Sequence, residues 1–155
     1  MKFYCVRHGD TVSTLVDPDR PLSEAGRAGI VRVARSLKKA GIILPHLIHS
    51  PKLRAQQTAQ IIVDEVGAER TTETKSKLDD TDSAMDWATE INLWEEDTMM
   101  IGHLPFISQL ISQLLLQDEH KPLISFVPGT VVCLQKSETR RWYIQWTINP
   151  DIYTN

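Results

Sequence analysis

A chain of 155 residues fits one domain, residues 1–155, with enough interior to bury about two-thirds of its unfolded surface without metals or disulfides. Hydrophobic residues make up 41% and charged residues 24%, the composition of an ordinary globular protein. A net charge of −3 leaves no broad cationic surface for nucleic acid or acidic lipid, so an anionic ligand requires a local cluster of positive charge.

Residues 3–6 are a short apolar run of the buried-strand kind. Arg7 and His8 end it well before the roughly 7–15 apolar residues of a secretion signal. Ser23 is placed to cap a helix whose stripe is Ile30, Val33, Ala34 and Leu37, with Gly41 as its stop. Residues 46–50 read as a second strand. Pro51 then suits the first position of a helix capped by Ser50, its stripe Ala55, Thr58, Ala59, Ile62 and Val66 running to Gly67. Residues 71–76 read as a weak edge strand.

An Asp-rich loop around residues 79–82 precedes a helix that turns Ala84, Trp87, Ala88 and Ile91 inward. Residues 98–101 form a strand, Pro105 opens an apolar helix through Leu116, and residues 131–135 and 142–148 suit an antiparallel pair. Trp142 and Trp146 are expected on one face of that last strand. The alternation predicts an α/β fold: a three-layer α/β/α sandwich whose mixed, mostly parallel sheet is flanked by helices.

Cys5 and Cys133 both lie in strand-like runs and read as buried free thiols. His46, His49 and His120 lack the cysteine partners or helical spacing of a metal site, so neither metal nor cofactor is expected. No stretch approaches the ~18 apolar residues of a membrane span, and the expectation is a cytoplasmic monomer with no membrane or nucleic-acid partner.

In open α/β sheets ligands bind beyond the carboxyl ends of the strands. Three such ends here carry distinctive polar residues: Arg7-His8-Gly9, Ser50-Pro51-Lys52-Leu53-Arg54, and Gly102-His103-Leu104-Pro105. Helical side chains lean toward the helix N-terminus, which turns Arg54 back across the sheet edge. The helix dipole adds to the same anion-attracting field. Each residue type suits phosphoryl transfer. A neutral imidazole at His8 is a nucleophile toward phosphorus. Arg7 and Arg54 offer paired donors that match phosphate oxygens. His103 supplies a further hydrogen bond, and Gly9 allows a tight turn that brings its N–H to the phosphate.

These motifs together resemble the histidine phosphatase superfamily, also called the phosphoglycerate mutase-like fold. The resemblance rests on Arg7-His8-Gly9, on Arg54 in Ser-Pro-x-x-Arg-Ala-x-x-Thr, on Gly102-His103, and on Pro21-Leu22-Ser23-Glu24-Ala25-Gly26. It covers nearly the whole chain. It implies a phosphohistidine intermediate at His8, with Arg7, Arg54 and His103 forming the phosphate pocket, where phosphate or vanadate binds. Within the superfamily the chain is most similar to the SixA-type phosphohistidine phosphatases: it opens Arg-His-Gly-Asp, is short, and has a brief interval between Arg54 and His103.

Larger members carry a lid insertion in that interval that supplies a glutamate as general acid. Here only the region of residues 78–82 stands in its place. A phosphohistidine P–N bond needs less help than a phosphoester, because imidazole is the better leaving group and a general acid contributes roughly 10²–10⁴ in rate where it is needed. The resemblance therefore implies a phosphohistidine-bearing phosphotransfer protein as substrate. Asp10, Asp79 and Asp80 are candidates for an acid or for the site rim, Asp10 more readily as a loop-shaping residue. Two other readings stay open: a small-molecule phosphomonoesterase of the same superfamily, and a catalytically silent phosphate or phosphopeptide-binding module. Ser50 reads as a helix cap whose hydroxyl also stands within reach of the phosphate.

Overall fold

A computed structural model describes residues 1–73, 78 and 82–153. Its strands are β1 (Lys2–Arg7), β2 (His46–His49), β3 (Arg70–Glu73), β4 (Thr98–Gly102), β5 (Val131–Lys136) and β6 (Trp142–Ile148). Its helices are α1 (Glu24–Lys39), α2 (Leu53–Val66), α3 (Ala84–Ile91) and α4 (Phe106–Leu116), and a short 3₁₀ turn, Pro150–Tyr153, closes the described chain. The sheet order is β3-β2-β4-β1-β5-β6. The first four of these run parallel, and β5 and β6 are antiparallel additions. The expected mixed, mostly parallel α/β sheet is the one observed.

Strand alternation divides the interior into two cores. Phe3 and Cys5 face a cluster with Ala88 and Ile91 of α3 and Phe106, Ile107 and Leu110 of α4. Tyr4 and Val6 face Ile30, Val33 and Leu37 of α1 and Ala55, Ala59 and Ile62 of α2. Period-two alternation along β1 thus holds the helix layers on opposite faces. Burying a side chain such as Leu37 or Ile62 contributes roughly 1.5–3 kcal/mol. The two thiols are free and buried on opposite sides, Cys5 in the first core and Cys133 in the second.

Helix α1 begins and ends as its sequence requires: the Ser23 hydroxyl accepts from Gly26 N at 2.9 Å, and Lys38 and Lys39 sit in the last turn, where their charges are stabilised by the negative end of the helix dipole. Gly41 follows at φ +67°. Helix α2 departs from expectation. It starts at Leu53 rather than Pro51, and its cap position, Lys52, makes no side-chain capping bond. Ser50 is not the cap; its hydroxyl is held elsewhere. Strand β3 covers Arg70–Glu73. The remainder of the expected 71–76 segment lies outside the described residues.

The final strand corrects another expectation. Leu134 pairs with Ile144 but Cys133 pairs with Trp146, so Gln145 is an extra residue in the ladder. Such a bulge shifts the alternation by one. Trp142 accordingly packs against Phe3, ring centroids 6.4 Å apart, whereas Trp146 packs against Tyr4 at 5.9 Å. The two indoles lie on opposite faces of the sheet.

Candidate active site

The topology explains why three distant segments meet. β2, β4 and β1 are adjacent and parallel, so their carboxyl ends open on one edge. The ladder extends a residue beyond each strand: His8 N donates to Gly102 O at 3.2 Å and Ser50 N to Ile101 O at 3.1 Å. Parallel strands lie ≈ 4.8 Å apart, so the central strand reaches both neighbours. His103, which follows it, has its ring centroid 5.0 Å from that of His8 and its Nε2 2.7 Å from Ser50 Oγ. All three residues are buried.

His8 Nδ1 lies 2.7 Å from Gly9 O, a carbonyl that can only accept. The neutral ring therefore carries its proton on Nδ1 and leaves the Nε2 lone pair to react. Burial pushes the His8 pKa from its ordinary value near 6.5 down to about 4; the Gly9 carbonyl opposes this, and the charges of Arg54, Arg7 and Arg20 add to it. At neutral pH His8 is an uncharged imidazole that feels the positive charges of Arg54, Arg7 and Arg20.

Arg7 donates through Nη1 to Phe126 O at 2.7 Å, which fixes the plane of its guanidinium. Burial lowers its pKa and the charge of Asp10 opposes that, but a guanidinium stays charged at neutral pH. The neighbouring turn closes on the same residues, Gly129 N donating to the carbonyls of Arg7 at 3.1 Å and His8 at 3.0 Å. Arg54 is the second residue of α2, half-buried, and its charge acts on His8.

Gly9 serves a different purpose from the one expected of it. Its N–H donates to Thr58 Oγ1 at 3.1 Å rather than toward the phosphate site. Space rather than φ demands glycine here, because a Cβ would lie 2.9 Å from Ile30 Cγ1 and 3.1 Å from Leu22 Cδ2. Thr58 in turn donates to Arg54 O at 2.8 Å. It thereby ties the His8 loop to the turn that carries Arg54. Sequence reasoning placed Thr58 in an apolar stripe and missed this; the one hydroxyl among aliphatic neighbours was the available signal.

Asp10 is exposed. Its carboxylate accepts from Ser23 Oγ at 2.8 Å and its carbonyl from Ser23 N at 3.0 Å. This is the geometry of a rim residue that shapes the loop and anchors it to α1. Asp79 and Asp80 lie outside the described residues. Among the described residues, no group of three or more His, Cys, Asp or Glu is placed to hold a metal ion, and no helix is long and apolar enough to cross a membrane.

A neutral, buried imidazole flanked by arginines at the carboxyl edge of an α/β sheet defines a site suited to phosphoryl transfer through histidine. Comparison with known proteins narrows that class. Residues 3–91 match the histidine phosphatase superfamily (branch 1), and the chain belongs to that family. An uncharacterised protein of Picosynechococcus sp. is 38% identical over 65 residues, 40% of this chain and 39% of that protein. The chain thus matches about two fifths of the length of that relative.

Solved structures extend the likeness to the whole fold. The protein histidine phosphatase SixA complexed with tungstate superposes with a TM-score of 0.85 at 20% identity, covering 98% of this chain and 99% of that one. A putative phosphohistidine phosphatase SixA from Agrobacterium tumefaciens gives 0.79 at 18% identity, over 96% and 97% of the two chains. Mycobacterial glucosyl-3-phosphoglycerate phosphatase gives 0.70 at 20% identity, over 93% and 96%. At these identities the likeness concerns the fold.

Proposed function

We propose that this protein is a phosphohistidine phosphatase that removes the phosphoryl group from a phosphohistidine-bearing phosphotransfer protein. The observation that carries the reading is His8 itself: buried, neutral, its proton held on Nδ1 by Gly9 O, and surrounded by the charges of Arg54 and Arg7. Binding alone needs only the cations, so a neutral nucleophile favours catalysis over a silent phosphate-binding module.

His8 Nε2 attacks phosphorus in line. The P–N bond to the substrate imidazole breaks with its electron pair returning to that nitrogen, and the ring leaves neutral because its other nitrogen carries a proton or because solvent protonates the departing one. Water then attacks the phosphorus of phospho-His8, releasing inorganic phosphate and restoring the neutral ring. Arg7 and Arg54 carry the charge on the transferred oxygens, and His103 donates to them. Loss of one such donor costs about 3 kcal/mol of transition-state stabilisation.

The test compares phosphate release from a phosphohistidine phosphotransfer protein and from p-nitrophenyl phosphate, with wild type and His8→Ala. Fast release from phosphohistidine with slow aryl phosphate turnover, both abolished in His8→Ala, supports the reading. Efficient aryl phosphate turnover with phosphohistidine untouched would replace it with the small-molecule phosphomonoesterase.

A further inference from the structure

We infer that Arg20 is a further anion-binding side chain of this site, reaching the transferred phosphoryl group from the loop that follows Asp10. The inference rests on the reading of the site given above and adds to it a residue that none of the sequence motifs marks. Residues 11–22 form a closed loop: Thr11 and Leu22 make an isolated antiparallel bridge, and Val12 N donates to Pro21 O at 3.1 Å. A turn at its far end, with Arg20 N donating to Asp17 O at 3.0 Å, brings the chain back beside its starting point.

The backbone at Arg20 is unusual. It sits at φ +49°, in the left-handed region that non-glycine residues rarely occupy, and directly before a proline that restricts it further. Such conformations persist only where the surroundings over-determine them, and they concentrate at functional sites. The result here is a half-buried arginine turned inward. Its Nη2 donates to Thr11 Oγ1 at 2.9 Å, which orients the fork. Its Nε is shielded from solvent and has no hydrogen-bond partner among the described residues.

A buried, unpaired guanidinium N–H is costly unless something accepts from it. The groups facing His8 include Arg54 and Arg7, so a third cation held near them repels its neighbours until an anion arrives. Arg20 is close enough to act on the His8 proton in the same direction as those two. A dianionic phosphoryl group supplies the missing acceptor and the missing charge together. Arginine is suited to this by its planar, directional donors; lysine keeps the charge but loses the fork.

Arg20→Gln and Arg20→Lys test the inference in three measurements: vanadate affinity, the pH profile of kcat/KM, and thermal stability. A charge-assisted hydrogen bond implies vanadate binding weaker by about tenfold to a hundredfold in Arg20→Gln and by less in Arg20→Lys. Removing the cation also lets the His8 pKa rise, so the acid limb of Arg20→Gln moves to higher pH while Arg20→Lys keeps most of the wild-type limb. A residue that merely shaped the loop would lower Tm and leave both readouts in place. Unchanged vanadate affinity and an unmoved limb in Arg20→Gln, with wild-type binding intact and dependent on His8, would overturn this inference alone. Failure of the wild type to bind vanadate would overturn the reading of the site as well.

Discussion

The His103 imidazole and the Ser50 hydroxyl, 53 residues apart in the chain, are joined by a 2.7 Å hydrogen bond, and the His103 ring centroid lies 5.0 Å from that of His8. Ser50 also accepts from Lys52 N at 3.3 Å, so its own position is fixed by the turn that leads into α2. The pair sets the orientation of His103 relative to His8. Ser50→Ala removes that support without opening a large cavity. The expected outcome is a three- to tenfold loss in kcat, from a hydrogen bond worth roughly 0.5–1.5 kcal/mol, with KM and Tm little changed. Steady-state kinetics beside a melting curve decides it; unaltered kcat would show that His103 is oriented by other contacts.

Thr58 links two parts of the site by accepting from Gly9 N and donating to Arg54 O. Thr58→Val keeps the shape and strands a buried N–H, which costs about 1–3 kcal/mol, whereas Thr58→Ser keeps the hydroxyl. A fall in Tm of roughly 2–4 °C per kcal/mol follows for Val, with activity reduced more than in Ser. Equal behaviour of the two variants would remove Thr58 from the account.

Gly26 sits in α1, where exchange for alanine ordinarily gains up to about 1 kcal/mol. A Cβ at this position would lie 2.1 Å from Asp10 O and 2.9 Å from Asp10 N, backbone atoms that cannot swing aside. Overpacking of this kind costs typically 1–3 kcal/mol and wins. Gly26→Ala is expected to lower stability in chemical denaturation and to reduce activity by moving the His8-Gly9-Asp10 segment. A more stable variant would contradict the packing of the loop against α1.

The depressed pKa of His8 has consequences for both rate and stability. Its pKa is about 4 in the folded protein and near 6.5 in the ordinary state. Between these values the unfolded chain binds the extra proton, so stability rises with pH through that window. It is fully present above 6.5 and is lost as pH falls toward 4, by at most about 3 kcal/mol. The acid limb of kcat/KM is expected near pH 4 rather than 6.5, read against His8→Ala for stability. A limb at the ordinary histidine value would mean that His8 is solvated rather than buried.

Most of the fold was legible because its signals are local. The stripe of α1 and its Ser23 cap, the apolar run of β1 and the β–α alternation each specify one element and its inward face. Convergence of Arg7, His8, Arg54 and His103 at one sheet edge was legible from their places just beyond the carboxyl ends of parallel strands, which share that edge; the strand order that makes those ends neighbours was not. Less was legible where the outcome depends on partners far along the chain. Ser50 looked like a helix cap until β4 brought His103 beside it. The Gly9 N–H looked available for phosphate, but Thr58 takes it. The bulge that separates Trp142 from Trp146 arises in pairing with β5 and leaves no mark in β6 itself. Arg20 carries no motif, and only the closed loop turns it inward.

The central claim is that the phosphoryl group passes through His8. The most direct measurement is a single-turnover reaction with a ³²P-labelled phosphohistidine protein, quenched in base and mapped by peptide mass spectrometry. The account predicts transient, acid-labile label on the peptide containing His8 at residue 8, absent from His8→Ala. Label on another residue, or phosphate released by wild type and His8→Ala at the same rate, would contradict it.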